Sequence, residues 1–211
     1  MPYLSWNDPL FNFEDIKPML EEIEDFIEER KLQIKVPVVD EKSNLDQEYS
    51  DHLFDSYLNE QYFIHELEKN LLNGIYFTVV SIIERSICSM VRDIKNKIGD
   101  TDFNSRITYK VDDLLSLIGR LNGEDFQFDE ELLEKFRIYV YMRNDLIHAG
   151  GQARMDEVKE FIESNPELFI IDNEQLYIFR ITKEFVLKTM DDYQLFFKTI
   201  LYDDRGLPID Y

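Results

Sequence analysis

Asp129-Glu130-Glu131-Leu132-Leu133-Glu134-Lys135-Phe136-Arg137-Ile138-Tyr139-Val140-Tyr141-Met142-Arg143-Asn144-Asp145-Leu146-Ile147-His148-Ala149-Gly150-Gly151 is bounded at both ends by residues that start and stop helices. Asp129 is a good N-terminal cap, and Glu130 and Glu131 suit the positive end of the helix dipole. Gly150-Gly151 takes the backbone conformation that ends a helix, near Ala149. Between them, at about 100° per residue, Leu132, Phe136, Tyr139, Leu146 and Ile147 share one apolar stripe. Arg143 falls in the middle of it. A guanidinium left unpaired there costs on the order of several kcal/mol, so it needs a carboxylate, a partner subunit or a bound anion. An earlier segment carries the mirror anomaly: Tyr76, Phe77, Val80, Ile83, Ile87, Cys88 and Val91 form a stripe with Glu84 inside it. Glu84 is the natural partner of Arg143. The pair reads either as a structural ion pair that fixes helix register or as a carboxylate that orients Arg143 towards a pocket.

The flanking sequence supplies the packing partners. Ile16, Met19, Leu20, Ile23, Phe26 and Ile27 recur at three and four, which predicts an amphipathic helix over 13–31 with an acidic outer face. Leu32 to Val39 alternates and holds Pro37, so it reads as extended or an edge strand, and 40–47 as a loop. Helices are expected over 48–70 and 75–98, with Asn73-Gly74 a kink or short connection, and a short one over 111–121. Beyond the quoted segment come a short helix over 155–164, a hairpin from 168–172 and 176–180, and a final helix capped by Thr182. That helix carries Phe185, Val186, Met190, Tyr193, Phe196, Phe197 and Ile200. The sum is all-α: an antiparallel helical bundle with a small β-hairpin before the last helix. Residues 1–47 read as an acidic N-terminal helix and extended arm, and 48–211 as the helical domain.

Composition narrows the function. With 44% apolar and 14% aromatic residues, the 211-residue chain is far too rich in core formers for a disordered one. Its net charge of -21 is uneven: -12 over residues 1–70, -3 over 71–150 and -6 over 151–211. So acidic a surface repels phosphate, and any nucleic-acid site must be local. Arg85, Arg92, Lys95 and Lys97 form the best basic cluster, read either as a weak RNA-binding patch or as an ordinary solvated helix end. The one cysteine, Cys88, excludes an intrachain disulfide and a zinc-finger framework. His52, His65 and His148 are the only histidines, His52 and His65 read as surface residues, and neither a metal site nor a cofactor is expected. The start lacks a charged leader before an apolar stretch, and no run approaches the roughly 20 apolar residues that span a bilayer, so a cytoplasmic protein with no membrane partner is expected.

Asn144 and His148 are four apart and project from one side of their helix, about 40° from each other. Arg143 lies about 140° from His148, so one ideal helix cannot aim both at one atom. Either the last turn unwinds before Gly150, or a two-fold dimer brings two copies of the helix end together. The chemistry open to such a cluster is metal-independent RNA cleavage. An imidazole, with an ordinary pKa of about 6.5, takes or gives the proton of a ribose 2'-hydroxyl. A guanidinium holds the phosphate and stabilises the developing charge.

Phe136 followed after six residues by Arg143-Asn144-Asp145-Leu146-Ile147-His148-Ala149-Gly150-Gly151 resembles the signature of HEPN domains, in which Arg and a polar residue precede a His near the end of a late helix. The order of helices over about residues 48–202, with Glu84 in the second long one, is similar too. The resemblance implies a homodimer whose shared cleft is lined by Arg143, Asn144 and His148, with Arg143 and His148 needed for cleavage; Glu84 and Asp145 are expected as supporting residues. Members include toxins of toxin–antitoxin pairs, anti-phage abortive-infection proteins and RNA-cleaving domains of CRISPR effectors. The implied function is a metal-independent endoribonuclease in defence or stress-linked growth control, with RNA as substrate and an antitoxin or regulatory protein as partner. The alternative is a non-catalytic dimeric binding or scaffold protein that keeps these residues for packing.

Overall fold

A computed structural model describes Phe13 and residues 15–37, 47–99, 110–122 and 130–201. Within them the chain forms α1 (Ile16–Gln33), α2 (Gln47–Lys97), α3 (Val111–Asn122), α4 (Glu130–His148), α5 (Asp156–Ser164), a 3-10 turn (Pro166–Leu168), β1 (Phe169–Asn173), β2 (Ile178–Ile181) and α6 (Lys183–Leu201). This is a helical bundle with one antiparallel hairpin before the last helix, as the periodicities predict. β1 and β2 pair Phe169 with Ile181, Ile170 with Arg180 and Ile171 with Phe179.

The spine is α2, which packs on α1, α3, α4, α6 and β2. Here the expectation of two helices fails: α2 is one continuous helix of 51 residues, on the order of 75 Å long. A glycine inside a helix costs only about 1 kcal/mol. That cost is offset by burial on both sides of Gly74, at Leu72, Ile75, Tyr76 and Val79. By length and composition α2 also contains a stretch apolar enough to cross a membrane, contrary to the sequence reading. Of that stretch, 44% is buried inside the protein.

α4 and α6 close the core against α2. Phe136 stacks on Tyr193 with centroids 4.2 Å apart, and Tyr139 and Tyr76 both meet the ring of Phe185. Tyr76 Oη donates to the Tyr139 carbonyl (2.7 Å), and Tyr139 Oη donates to Asp192 (2.5 Å), so the buried phenols are satisfied. All seven apolar residues expected to face inward on α6 are buried. On α4 the buried set is Leu132, Phe136, Ile138, Tyr139, Met142 and Leu146, whereas Ile147 is exposed. The stripe therefore advances through Met142, and Arg143 lies at its edge rather than at its centre.

The acidic N-terminal helix is part of the core. Phe13, Ile16 and Leu20 are buried in it, while Met19 and Phe26, expected on the same stripe, are exposed. Lys17 pairs with Asp191 of α6 (3.1 Å), Lys31 with Glu68 of α2 (3.4 Å), and Lys183 with Glu24. Ile34 to Pro37 follow α1 outside any strand, with Ile34 in extended backbone, so of the two readings the extended one holds at Ile34. Residues 38–46, the rest of the expected arm and loop, and the cap Asp129 lie outside the described residues.

Thr182 caps α6 as expected: its hydroxyl accepts from Phe185 N (3.3 Å) and donates to the Leu168 carbonyl (3.0 Å). Thr182→Ala is expected to lower the unfolding free energy by about 1–2 kcal/mol, read as a lower urea midpoint at unchanged slope.

Candidate functional site

The C-terminal half of α4 lies against the middle of α2, and the two anomalous charges meet there. Arg143 Nη1 donates to Glu84 Oε2 at 2.9 Å, and Nη2 donates to Asn144 Oδ1 at 3.3 Å. The Arg143 side chain is 22% exposed and that of Glu84 34%, so the pair sits at the rim of the bundle. Arg143 Nε is buried with no hydrogen-bond partner among the described residues.

Buried phenols form the floor beneath this pair. Burial raises the pKa of Tyr193 well above the ordinary range, Glu84 and Asp192 raise it further, and Arg143 opposes them. Burial likewise raises Tyr76, again with Arg143 acting in the opposite direction. Both phenols therefore stay neutral at physiological pH, and the negative charge that answers Arg143 is that of Glu84.

His148, the last residue of α4, is exposed. Asn144, one turn earlier, is half-buried and ties that side of the helix to Arg143 through its amide oxygen. Asn144, His148 and Arg143 thus share the end of one helix, with Arg143 on the side that faces Glu84.

Asp145, expected as a supporting residue, is buried near the end of α4. Its side chain is only 2% exposed, and it organises the chain that follows α4. Its backbone carbonyl accepts from the N–H groups of Ala149 and Gly151, each at 3.0 Å. Its carboxylate accepts from Arg154 Nε (2.6 Å, at Oδ1) and from Arg154 N (3.2 Å, at Oδ2). Gly150 (φ 61°) and Gly151 (φ 88°) make the turn, and Gly151 O and Ala153 N then bond to Phe179 N (2.9 Å) and Tyr177 O (3.0 Å). The end of α4 is thereby fixed to β2.

The basic cluster does not join Arg143 directly. Arg85 is exposed one residue beyond Glu84, and Arg92 and Lys95, both half-buried, lie about 12 and 16 Å further along α2. The side chain of Lys97 is outside what is described. His65 is exposed, as expected, and its Nδ1 lies 3.3 Å from Nη1 of the buried Arg180, whose Nε donates to Asp172 (2.8 Å). His52 is exposed, as expected. Among the described residues no group of three or more His, Cys, Asp or Glu side chains is placed to hold a metal ion.

Sequence reasoning missed Arg154 and Tyr193 as neighbours of the site. A signal for Arg154 existed: Asp145, in the interior of a helix and beside an apolar residue, needs a donor, and Arg154 is the first cation after it. Compared with protein-family models, curated proteins and solved structures, the chain has no match.

Proposed function

We propose that the chain is a metal-independent endoribonuclease of HEPN type that acts as a homodimer. The observation that carries the reading is an exposed imidazole, His148, on the last turn of a helix whose Asn144 and Arg143 stand one turn back, with Arg143 held at the rim by Glu84. In the proposed reaction His148 removes the proton from a ribose 2'-hydroxyl. The freed oxygen attacks the adjacent phosphorus, the bond from phosphorus to the 5'-oxygen breaks, and that oxygen takes a proton from a second imidazole or from water. The products are a 2',3'-cyclic phosphate and a 5'-hydroxyl end. Because Arg143 and His148 diverge by about 140° on α4, a second copy of the chain completes the cluster across a two-fold axis. The acidic surface restricts RNA to that seam. A cytoplasmic setting in defence or stress-linked growth control, under an antitoxin or regulatory protein, belongs to the same proposal.

The test is cleavage of single-stranded RNA in the presence of a chelator, with and without His148→Ala, reading the ends formed. The parent protein is expected to leave 2',3'-cyclic phosphate ends, and His148→Ala to be slower by roughly a hundredfold. Activity untouched by the substitution removes His148 from the reaction, and activity abolished by the chelator removes the mechanism.

A second reading, a non-catalytic dimeric binding or scaffold protein, is favoured by one observation: the Arg143–Glu84 pair is already closed at 2.9 Å. It predicts no RNA cleavage by the parent protein.

A further inference from the structure

His148 lacks a phosphate-holding cation from its own side of the helix, since Arg143 is turned away and engaged by Glu84. We infer that Arg154 is that cation, a phosphate-binding residue presented beside His148 by Asp145. This rests on the ribonuclease reading and names how the same site grips its substrate.

The geometry comes from the turn after α4. Asp145 and His148 are three apart on the helix, about 60° from each other, with Cβ atoms about 5–6 Å apart. Asn144 lies on the other flank of His148, about 40° away. Asp145 is buried, and both its carboxylate oxygens are committed to Arg154, one to Nε at 2.6 Å and one to the backbone N–H at 3.2 Å. Holding a guanidinium by Nε and by its own main chain fixes the direction of the planar group. Nη1 and Nη2 have no partner among the described residues, and the Arg154 side chain is 52% exposed. The nearby acid Asp156 is engaged by Lys159 at 2.9 Å.

Two Nη groups left free on a half-exposed guanidinium are suited to two phosphate oxygens. The anchor is rigid because Gly151 is bonded to Phe179 of β2 and Ala153 to Tyr177, the residue just before β2. A buried carboxylate in the last turn of a helix also opposes the helix dipole, so it needs a cation beside it. Its position is accounted for by the cation it orients.

The experiment compares the parent protein with Asp145→Asn/Arg154→Gln, which removes both charges and keeps a donor facing an acceptor, and with Arg154→Lys, which keeps the ion pair and loses the fork. Three quantities are read: thermal midpoint, KM for cleavage of a single-stranded RNA, and binding of the same sequence with 2'-deoxyribose, which cannot react. Both variants are expected to remain folded at the assay temperature and to raise KM and weaken binding roughly tenfold. In the double variant the slope of log affinity against log salt should be shallower by about 0.7, one phosphate contact on a single strand. A structural role alone moves the midpoint and leaves the salt slope in place. Unchanged KM and salt slope in a folded variant overturn the role of Arg154 and leave the ribonuclease reading standing. A parent protein that neither cleaves the RNA nor binds the deoxy strand overturns both. If the double variant fails to fold, Arg154→Lys decides.

Discussion

Gly151→Ala is expected to destabilise the protein by about 3–4 kcal/mol, whereas Gly150→Ala, one residue earlier, costs about 1–2 kcal/mol. Both glycines have positive φ, 61° at Gly150 and 88° at Gly151, and both residues lose something to a side chain there. The space around them differs. A Cβ on Gly150 meets nothing within 4 Å, but one on Gly151 would stand 2.5 Å from the carbonyl oxygen of Phe179. That atom is strand backbone and cannot swing aside. Relieving the contact means parting the turn from β2, where Phe179 N donates to Gly151 O at 2.9 Å, and disturbing the bond from Gly151 N to the Asp145 carbonyl. Urea denaturation of the two variants against the parent measures the difference. Equal losses at the two positions would show that the turn is not clamped to β2. Because the same turn carries Arg154, Gly151→Ala should also weaken RNA binding, while Gly150→Ala should leave it unchanged.

The pair of glycines also marks how far the sequence could be read. That α4 stops there follows from composition alone, but which glycine is indispensable depends on β2, whose approach no local pattern records. The hairpin and the cap at Thr182 were legible because alternation and a hydroxyl before an apolar run are local signals. Asn73-Gly74 misled for the opposite reason: they resemble a connection, and the burial of Leu72, Ile75, Tyr76 and Val79 that holds the helix together is tertiary. At the site, the partnership of Glu84 and Arg143 was legible because each is a charge on an otherwise apolar stripe. The buried state of Asp145 was not, since an angular reading that gave Ile147 an inward place left Met142 and Asp145 outside the stripe. The structure exchanges them, with Met142 and Asp145 buried and Ile147 exposed. Moving the buried face of α4 towards Met142 brings Asp145 over the incoming turn, where Arg154 can reach it.

Glu84→Leu alone is expected to cost about 2–3 kcal/mol, and Glu84→Leu/Arg143→Met to return to within about 1 kcal/mol of the parent. The single change leaves a guanidinium that is only 22% exposed, with Nε unpartnered among the described residues and the neighbouring phenols of Tyr76 and Tyr193 neutral, so it loses the carboxylate that is hydrogen-bonded to it. Removing both charges leaves a methionine and a leucine beside the apolar floor, where desolvation of an ion pair no longer has to be offset. The cycle is read from denaturation of the parent, the two single variants and the double variant. Its value is that it separates a catalytic from a purely structural role of Arg143 in a folded protein. If Arg143 stabilises charge on the phosphate, the double variant should lose cleavage by about a thousandfold while keeping its fold. A double variant that is stable and still cleaves RNA at the parent's rate would confine Arg143 to holding α4 against α2, and the catalytic role would then rest on His148 and Arg154 alone.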